Sequence, residues 1–106
     1  MGVQEIKSYE EFQMKLKEAG DKLVVIDYFA DWCGPCKMIA PKFTEFSDTF
    51  TDVIFYKVNV DEADDVAQKC QITSMPTFHF YKNGVKVRSM SGSDAKQLKK
   101  IIEELK

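Results

Sequence analysis

The chain has 106 residues, of which 44% are hydrophobic and 30% are charged, a composition typical of one compact globular domain with a substantial core. Its formal net charge of -2 comes from interspersed charges of both signs, which argues against a nucleic-acid partner. No run approaches the roughly 20 apolar residues of a membrane span, and the first residues lack the apolar segment of a signal peptide. We therefore expect a single domain over residues 1–106, no membrane association and a cytoplasmic location.

The first part of the chain alternates between strand and helix patterns. A short strand is predicted at 3–7, followed by a helix that begins at the capping box of Ser8 and Glu11 and ends at Gly20. Residues 23–30 are nearly all apolar and rich in β-branched and aromatic types. This pattern predicts a central strand that is covered on both faces.

A longer helix is predicted from Cys33 onward, because large apolar residues recur there at helical spacing. The stripe consists of Ile39, Phe43, Phe46 and Phe50. Pro41 lies within the stripe and should bend the helix. A second buried strand is predicted at 53–60, so strand, helix and strand form a parallel βαβ unit.

The remainder of the chain predicts a short helix, a hairpin and a final helix. Asp61 is the expected N-cap of the short helix, and Asn83-Gly84 is the expected turn of a tight antiparallel hairpin. The final helix buries an apolar stripe of Ala95, Leu98, Ile102 and Leu105. Together these elements predict an α/β fold with a mixed sheet of about five strands flanked by four helices.

Two of the three cysteines lie in the segment DWCGPCK, at the carboxyl end of the first strand of the βαβ unit. Cys33 is expected at the helix N-cap and Cys36 one turn later, so a small adjustment brings the sulfurs into a disulfide. Unpaired amides and the helix dipole favour a thiolate at Cys33, the form that attacks disulfides, and Cys36 would then resolve the mixed disulfide. Pro35 stiffens this loop, and Gly34 leaves room for another chain.

Asp27 places a carboxyl group in the otherwise apolar strand that leads to the cysteines. Burial should raise its pKa, and its expected position beneath the helix start makes it a candidate general base for Cys36. Lys57, on the neighbouring strand, either lowers this pKa again and so tunes the couple, or extends past the sheet to solvent. The residues leave both possibilities for Lys57 open.

These features together resemble the thioredoxin family over essentially the whole chain. The shared pattern, in the family's order, comprises WCGPCK at 32–37, Asp27, Pro41, MPTF at 75–78, KNG at 82–84 and SG at 91–92. The resemblance implies the thioredoxin fold and a reaction in which Cys33 is the nucleophile, Cys36 the resolving thiol and Asp27 the proton acceptor.

The resemblance also implies the surroundings and the partners of the cysteine pair. Gly34 and Pro35 would tune the reduction potential, and a cis peptide would join Met75 to Pro76. The substrate groove would consist of Trp32, Met75, Pro76 and Gly92. Electrons would come from NADPH through thioredoxin reductase, with no bound cofactor, and would pass to disulfide-containing proteins such as peroxiredoxins. The protein would be a monomer with a possible dimer.

Other interpretations of the cysteines compete with a redox couple. A tetrahedral zinc site could recruit Cys33, Cys36, Cys70 and His79, although the spacing argues against it and favours no bound metal. A purely structural disulfide between Cys33 and Cys36 would close too short a loop to add much stability. Cys70 is either a small half-buried hydrophobic residue or a regulatory thiol, and His79 is expected to be an ordinary strand residue.

Two functions follow from these observations. The first is a protein dithiol–disulfide oxidoreductase that reduces partner disulfides by thiol–disulfide exchange through Cys33 and Cys36. The second is a binding module that uses the same groove to hold partners in one redox state only. Replacement of Cys36 by Ser separates them, because only the first predicts trapped mixed disulfides.

Overall fold

The computed structural model describes residues 2–106, and its elements follow the predicted alternation of strands and helices. They are β1 (Val3–Glu5), α1 (Tyr9–Ala19), β2 (Val24–Phe29), α2 (Gly34–Thr49), β3 (Ile54–Asn59), α3 (Asp64–Lys69), β4 (Thr77–Lys82), β5 (Val85–Ser91) and α4 (Ala95–Leu105). The predicted α/β fold, a mixed five-stranded sheet with four helices, is confirmed.

The strands form one sheet in the order β1-β3-β2-β4-β5. The pairs β1–β3 and β2–β3 are parallel, whereas β4 runs antiparallel to both β2 and β5. The central strand β2 is buried along nearly its whole length, as expected for an apolar strand with helices on both faces. The loop after β2 therefore begins near the middle of one edge of the sheet.

Two apolar layers hold the sheet between its helices. The layer beneath α2 and α4 includes Val25, Ile39, Phe43, Phe46, Phe55, Phe78, Phe80, Leu98 and Ile102. The layer beneath α1 and α3 includes Ile6, Phe12, Val24, Ile26, Tyr28, Tyr56, Val58, Val66 and Tyr81. Each fully buried large apolar side chain contributes about 1.5–3 kcal/mol, so both layers fix the position of β2.

The prediction that Asp61 caps the short helix is wrong. Helix α3 begins at Asp64, with Ala63 at the N-cap position and no side-chain capping bond. The reason is a turn made by Asn59, whose Oδ1 accepts the amides of Asp61 at 2.9 Å and Glu62 at 3.3 Å. This turn uses the residues after β3 and moves the start of the helix further along the chain.

The other local signals are found where they were expected. Ser8 is the N-cap of α1, and its hydroxyl accepts the amide of Glu11 at 3.1 Å. Asn83 and Gly84 have φ angles of 54° and 77°, the left-handed geometry that a two-residue turn between β4 and β5 requires. Within residues 2–106, no helix is both long and apolar enough to cross a membrane.

Candidate active site

The cysteine pair lies where β2 ends and α2 begins. Cys33 is the N-cap residue of α2, and a disulfide joins it to Cys36, with 5.3 Å between the two Cα atoms. Cys33 is 5% exposed and Cys36 is 3% exposed, so the disulfide lies just beneath the surface rather than on an open edge. The predicted placement of both residues at the start of the helix is correct.

The start of α2 stabilises negative charge on the Cys33 sulfur. The amide of Cys36 points at this sulfur, with 3.2 Å between nitrogen and Sγ. Pro35 lies in the first turn, where a missing N–H costs nothing, and this turn carries no acidic side chain. After reduction, the helix dipole and this donor therefore favour a thiolate at Cys33.

Asp27 is buried in the middle of β2, and its Oδ1 has no hydrogen-bond partner among residues 2–106. Burial raises the pKa of the Asp27 carboxyl to about 7, although the charge of Lys57 lowers it. Asp27 and Lys57 are paired in the register of β2 and β3, yet no direct ion pair joins them within residues 2–106. The carboxyl group can therefore accept a proton near neutral pH.

A cavity of about 170 Å³ connects Asp27 with Cys36. Cys36 lies on its wall, as do Lys57 and Phe29, whose ring centroid is 5.7 Å from the Lys57 ammonium nitrogen. Lys57 is half-buried and lies on the wall of this cavity. The wall is mostly apolar, but the Asp27 carboxyl and the Lys57 ammonium group lie on it, and the volume has room for a water molecule that relays a proton from Cys36 to Asp27.

The four residues of the predicted groove come from the loop before α2, the loop before β4 and the loop after β5. Met75 packs against Cys33 and Cys36, and the peptide between Met75 and Pro76 is cis. The amide of Gly92 donates to the Pro76 carbonyl oxygen at 2.9 Å and holds the two loops together. Trp32 is 69% exposed directly beside Cys33, which leaves a large aromatic surface open to a partner.

One contact at the site was not expected from the sequence. The indole Nε1 of Trp32 donates to Oδ2 of Asp61 at 2.9 Å, which fixes the orientation of the exposed ring. The two residues are 29 positions apart, and no local pattern could have paired them. The carboxylate predicted to cap α3 instead orients a side chain of the groove.

Cys70 and His79 lie away from the disulfide. Cys70 is the C-cap of α3, a half-buried free thiol that packs on the layer beneath α1 and α3. His79 is buried in β4, as an ordinary strand residue. Among residues 2–106, no three His, Cys, Asp or Glu side chains are grouped closely enough to hold a metal ion, which is evidence against the zinc interpretation.

Comparisons with known proteins agree with this geometry. A family model described as Thioredoxin matches residues 3–104. Thioredoxin from Homo sapiens is 50% identical over 103 residues, which cover 97% of this chain and 98% of the human protein. Thioredoxin from Plasmodium falciparum has a TM-score of 0.92 at 45% identity and covers 98% of this chain and 100% of its own.

A further solved structure that is similar to this chain comes from a study of thiol chemistry in yeast. That study describes the structural basis of the thiol resolving mechanism in yeast mitochondrial 1-Cys peroxiredoxin via glutathione/thioredoxin systems. Its TM-score is 0.91 at 36% identity, with 97% of this chain and 95% of that chain covered. The similarity to all three proteins thus extends over nearly the whole length of each chain.

Proposed function

The chain belongs to the thioredoxin family and is a dithiol–disulfide oxidoreductase, and we propose that it reduces disulfides in partner proteins through Cys33 and Cys36. The observation that carries the proposal is the disulfide at the N-terminus of α2, with a cavity leading from Cys36 to Asp27. A purely structural bond would need neither an accessible groove nor a nearby proton acceptor.

The reaction has two exchange steps. The Cys33 thiolate attacks one sulfur of the partner disulfide, whose S–S bond breaks and releases the other sulfur as a thiolate that takes up a proton. Asp27 then accepts the proton of the Cys36 thiol, and the resulting thiolate attacks the Cys33 sulfur of the mixed disulfide. The partner leaves with two reduced sulfurs, and Cys33 and Cys36 are left as the disulfide.

The residues around the pair have supporting roles in this proposal. Gly34 and Pro35 set the geometry of the first turn and so tune the reduction potential, while Lys57 tunes the proton acceptor by lowering the pKa of Asp27. The partner chain lies in a groove made by Trp32, Met75, Pro76 and Gly92. The exposed ring of Trp32 and the packing of Met75 against the disulfide support this location.

We also propose the partners and the setting of the reaction. Electrons come from NADPH through a thioredoxin reductase, and peroxiredoxins are among the substrates, as the similarity to the yeast structure suggests. Residues 1–106 act as one cytoplasmic domain, as a monomer. NADPH consumption on mixing the oxidised protein with a thioredoxin reductase tests the electron source, and no consumption would remove this part of the proposal.

Trapping of the mixed disulfide tests the central reaction. With insulin as the disulfide substrate and dithiothreitol as the electron donor, Cys33→Ser should abolish the protein-dependent part of insulin reduction. Cys36→Ser that has been reduced and then freed of dithiothreitol should accumulate a covalent complex with insulin. Cys70→Ser is the matched control and should reduce insulin as fast as the unmodified protein does. A Cys36→Ser variant that forms no complex resolvable on a non-reducing gel contradicts the assigned roles.

A second candidate function is binding that depends on the redox state, because Trp32 leaves a broad aromatic surface exposed beside the disulfide. The variant with both Cys33→Ser and Cys36→Ser separates the two functions. Partners that it still retains in a pull-down are held without covalent chemistry. Loss of every partner in this variant leaves only the exchange reaction.

A further inference from the structure

A second groove lies on the opposite face of the sheet from α2. It runs between α1, the end of α3 and the β4–β5 hairpin, and its volume is about 760 Å³. This volume falls within the range of small-molecule sites, about 300–1,000 Å³. None of the residues assigned to disulfide exchange lines it. The groove is thus separate from the candidate active site.

The floor of the groove is apolar and aromatic. Phe12 and Tyr81 meet edge to face, with 5.8 Å between their ring centroids, and Leu16 extends the floor along α1. Tyr9 stacks on Phe12 with 5.6 Å between centroids and forms one wall. Cys70 also lines the groove, at the point where α3 ends. A flat apolar group can therefore rest on several rings at once.

The rim of the groove is positively charged. Lys17, Lys69 and Lys86 line it, and no Asp or Glu side chain does. None of these lysines forms an ion pair within the part of the chain that the structure describes. The ammonium group of Lys69 lies 5.5 Å from the centroid of the Tyr9 ring, directly above the aromatic wall. This local excess of positive charge is notable in a chain whose net charge is -2.

The carboxylate of Asp65, on the same helix as Lys69, does not line the groove and forms no ion pair with its lysines. Its two oxygens accept the backbone amides of Tyr9 at 2.9 Å and Val66 at 2.8 Å. Asp65 thus joins α3 to the start of α1 and is not part of the groove lining. The lysines remain available to an anionic ligand.

We propose that this groove binds a small amphipathic anion, a flat aromatic or short alkyl body that carries one sulfonate, carboxylate or phosphate group. The apolar body rests on Phe12, Leu16 and Tyr81, while the anionic group lies among the lysines. Contact with the apolar floor and attraction to the lysines both contribute to binding, and the lysines select the charge. The occupant covers Cys70, and this coverage gives a direct readout of its position.

The fluorescent probe 8-anilinonaphthalene-1-sulfonate tests the proposal on the oxidised protein. We expect saturable binding of one probe per chain, weakened several-fold by Lys69→Gln and by Lys17→Gln. Lys99→Gln, on α4 at the other face of the sheet, is the matched control and should bind like the unmodified protein. Octanoate should displace the probe, because it shares the anionic group and an apolar body.

Alkylation of Cys70 places the probe in the groove. In the oxidised protein Cys70 is the free thiol, and saturating probe should slow its reaction with iodoacetamide at least threefold. Unchanged alkylation, or binding lost in Trp32→Ala but kept in Lys69→Gln, overturns the proposal by placing the probe elsewhere. Lysine-dependent binding of polyglutamate without binding of the probe also overturns it, in favour of an acidic protein partner.

Discussion

Asp27 carries a carboxyl group into a strand whose other residues are apolar, and this placement affects both the reaction and the stability. The carboxyl pKa is raised to about 7 in the folded protein, mainly because burial disfavours the charged form, against an ordinary value of 3.8. At a pH between these two pKa values, the folded state therefore binds more protons than the unfolded chain does. Ionised Asp27 destabilises the fold at neutral pH and above, where the reaction needs it as a base.

Replacement of Asp27 by Asn should separate these two effects. We expect the free energy of unfolding of the oxidised protein to rise by about 2–4 kcal/mol at pH 8, because the variant buries no charge. The rate of insulin reduction should fall at least about tenfold, because Cys36 loses its proton acceptor. Urea denaturation and the insulin assay measure the two quantities. Asp48→Asn, at an exposed position of α2, should change neither.

Tyr28 presents a second buried polar atom. Its hydroxyl lies near the Cys70 sulfur but makes no well-aligned hydrogen bond to any residue that the structure describes. Because an unpaired buried hydroxyl costs about 1–3 kcal/mol, Tyr28→Phe should stabilise the protein by about 1 kcal/mol in urea denaturation. Tyr56→Phe, on β3 and the same face of the sheet, is the control with no buried unpaired hydroxyl. Destabilisation by Tyr28→Phe would show that the hydroxyl has a real partner.

At the scale of elements, helix caps determine where the helices begin. Asp94 is the N-cap of α4, and its Oδ1 accepts the amide of Gln97 at 3.1 Å. Asp94→Ala should lower the free energy of unfolding by about 1 kcal/mol, the usual contribution of such a cap. Asp61→Ala should lower it by less than about 0.5 kcal/mol, because Asp61 caps no helix and its bond to Trp32 is exposed. Equal losses in a urea titration contradict this assignment.

The elements that the sequence predicts well are those whose signals are local. The apolar run at 23–30 and the helical stripe after Cys33 predict burial from their own residue patterns, and the dipeptide Asn83-Gly84 predicts a turn by itself. The predicted start of α3 is wrong because the side chain of Asn59, two residues before Asp61, accepts the amides of Asp61 and Glu62 and holds these residues in a turn. Local propensity could not rank these two uses of the backbone.

The sequence predicts the position of the disulfide but not all of the contacts around it. Cys33 at the N-cap followed from the helix pattern, whereas the bond between Trp32 and Asp61 depends on how the ends of β2 and β3 lie side by side. The lysine-rimmed groove has the same origin, because its walls come from α1, α3 and a hairpin that are distant along the chain. Such features depend on tertiary packing, which periodicity does not encode.

For the whole molecule, two buried ionisable groups lie on opposite faces of the sheet. Residues directly opposite each other on neighbouring strands share a face of the sheet. Asp27 of β2 lies opposite Phe78 of β4, which packs beneath α2, whereas His79 of β4 lies opposite Ile26 of β2, which packs beneath α1 and α3. Burial, together with a smaller contribution from the positive charge of Lys86, lowers the pKa of His79 to about 4. His79 therefore stays neutral in the folded protein while the unfolded chain takes up a proton below about pH 6.5.

These two groups act on stability with opposite signs. As the pH falls from about 6.5 to about 4, His79 removes stability, because the unfolded chain binds the proton that the folded chain excludes. Over nearly the same window Asp27 adds stability as the pH falls, because the folded chain binds the proton first. Each group changes the free energy of unfolding by up to about 1.4 kcal/mol per pH unit, and the two opposite changes should largely cancel in the unmodified protein.

Single substitutions should reveal the pH dependence of stability that each group causes on its own. With His79→Gln, the free energy of unfolding should fall as the pH rises from about 4.5 to about 6.5, because only the Asp27 contribution remains. With Asp27→Asn it should rise over the same range, because only His79 titrates differently in the two states. Urea denaturation of both variants, compared with the double variant as the common reference, measures these slopes. Identical pH profiles for the two single variants would mean that neither group is held away from its ordinary pKa.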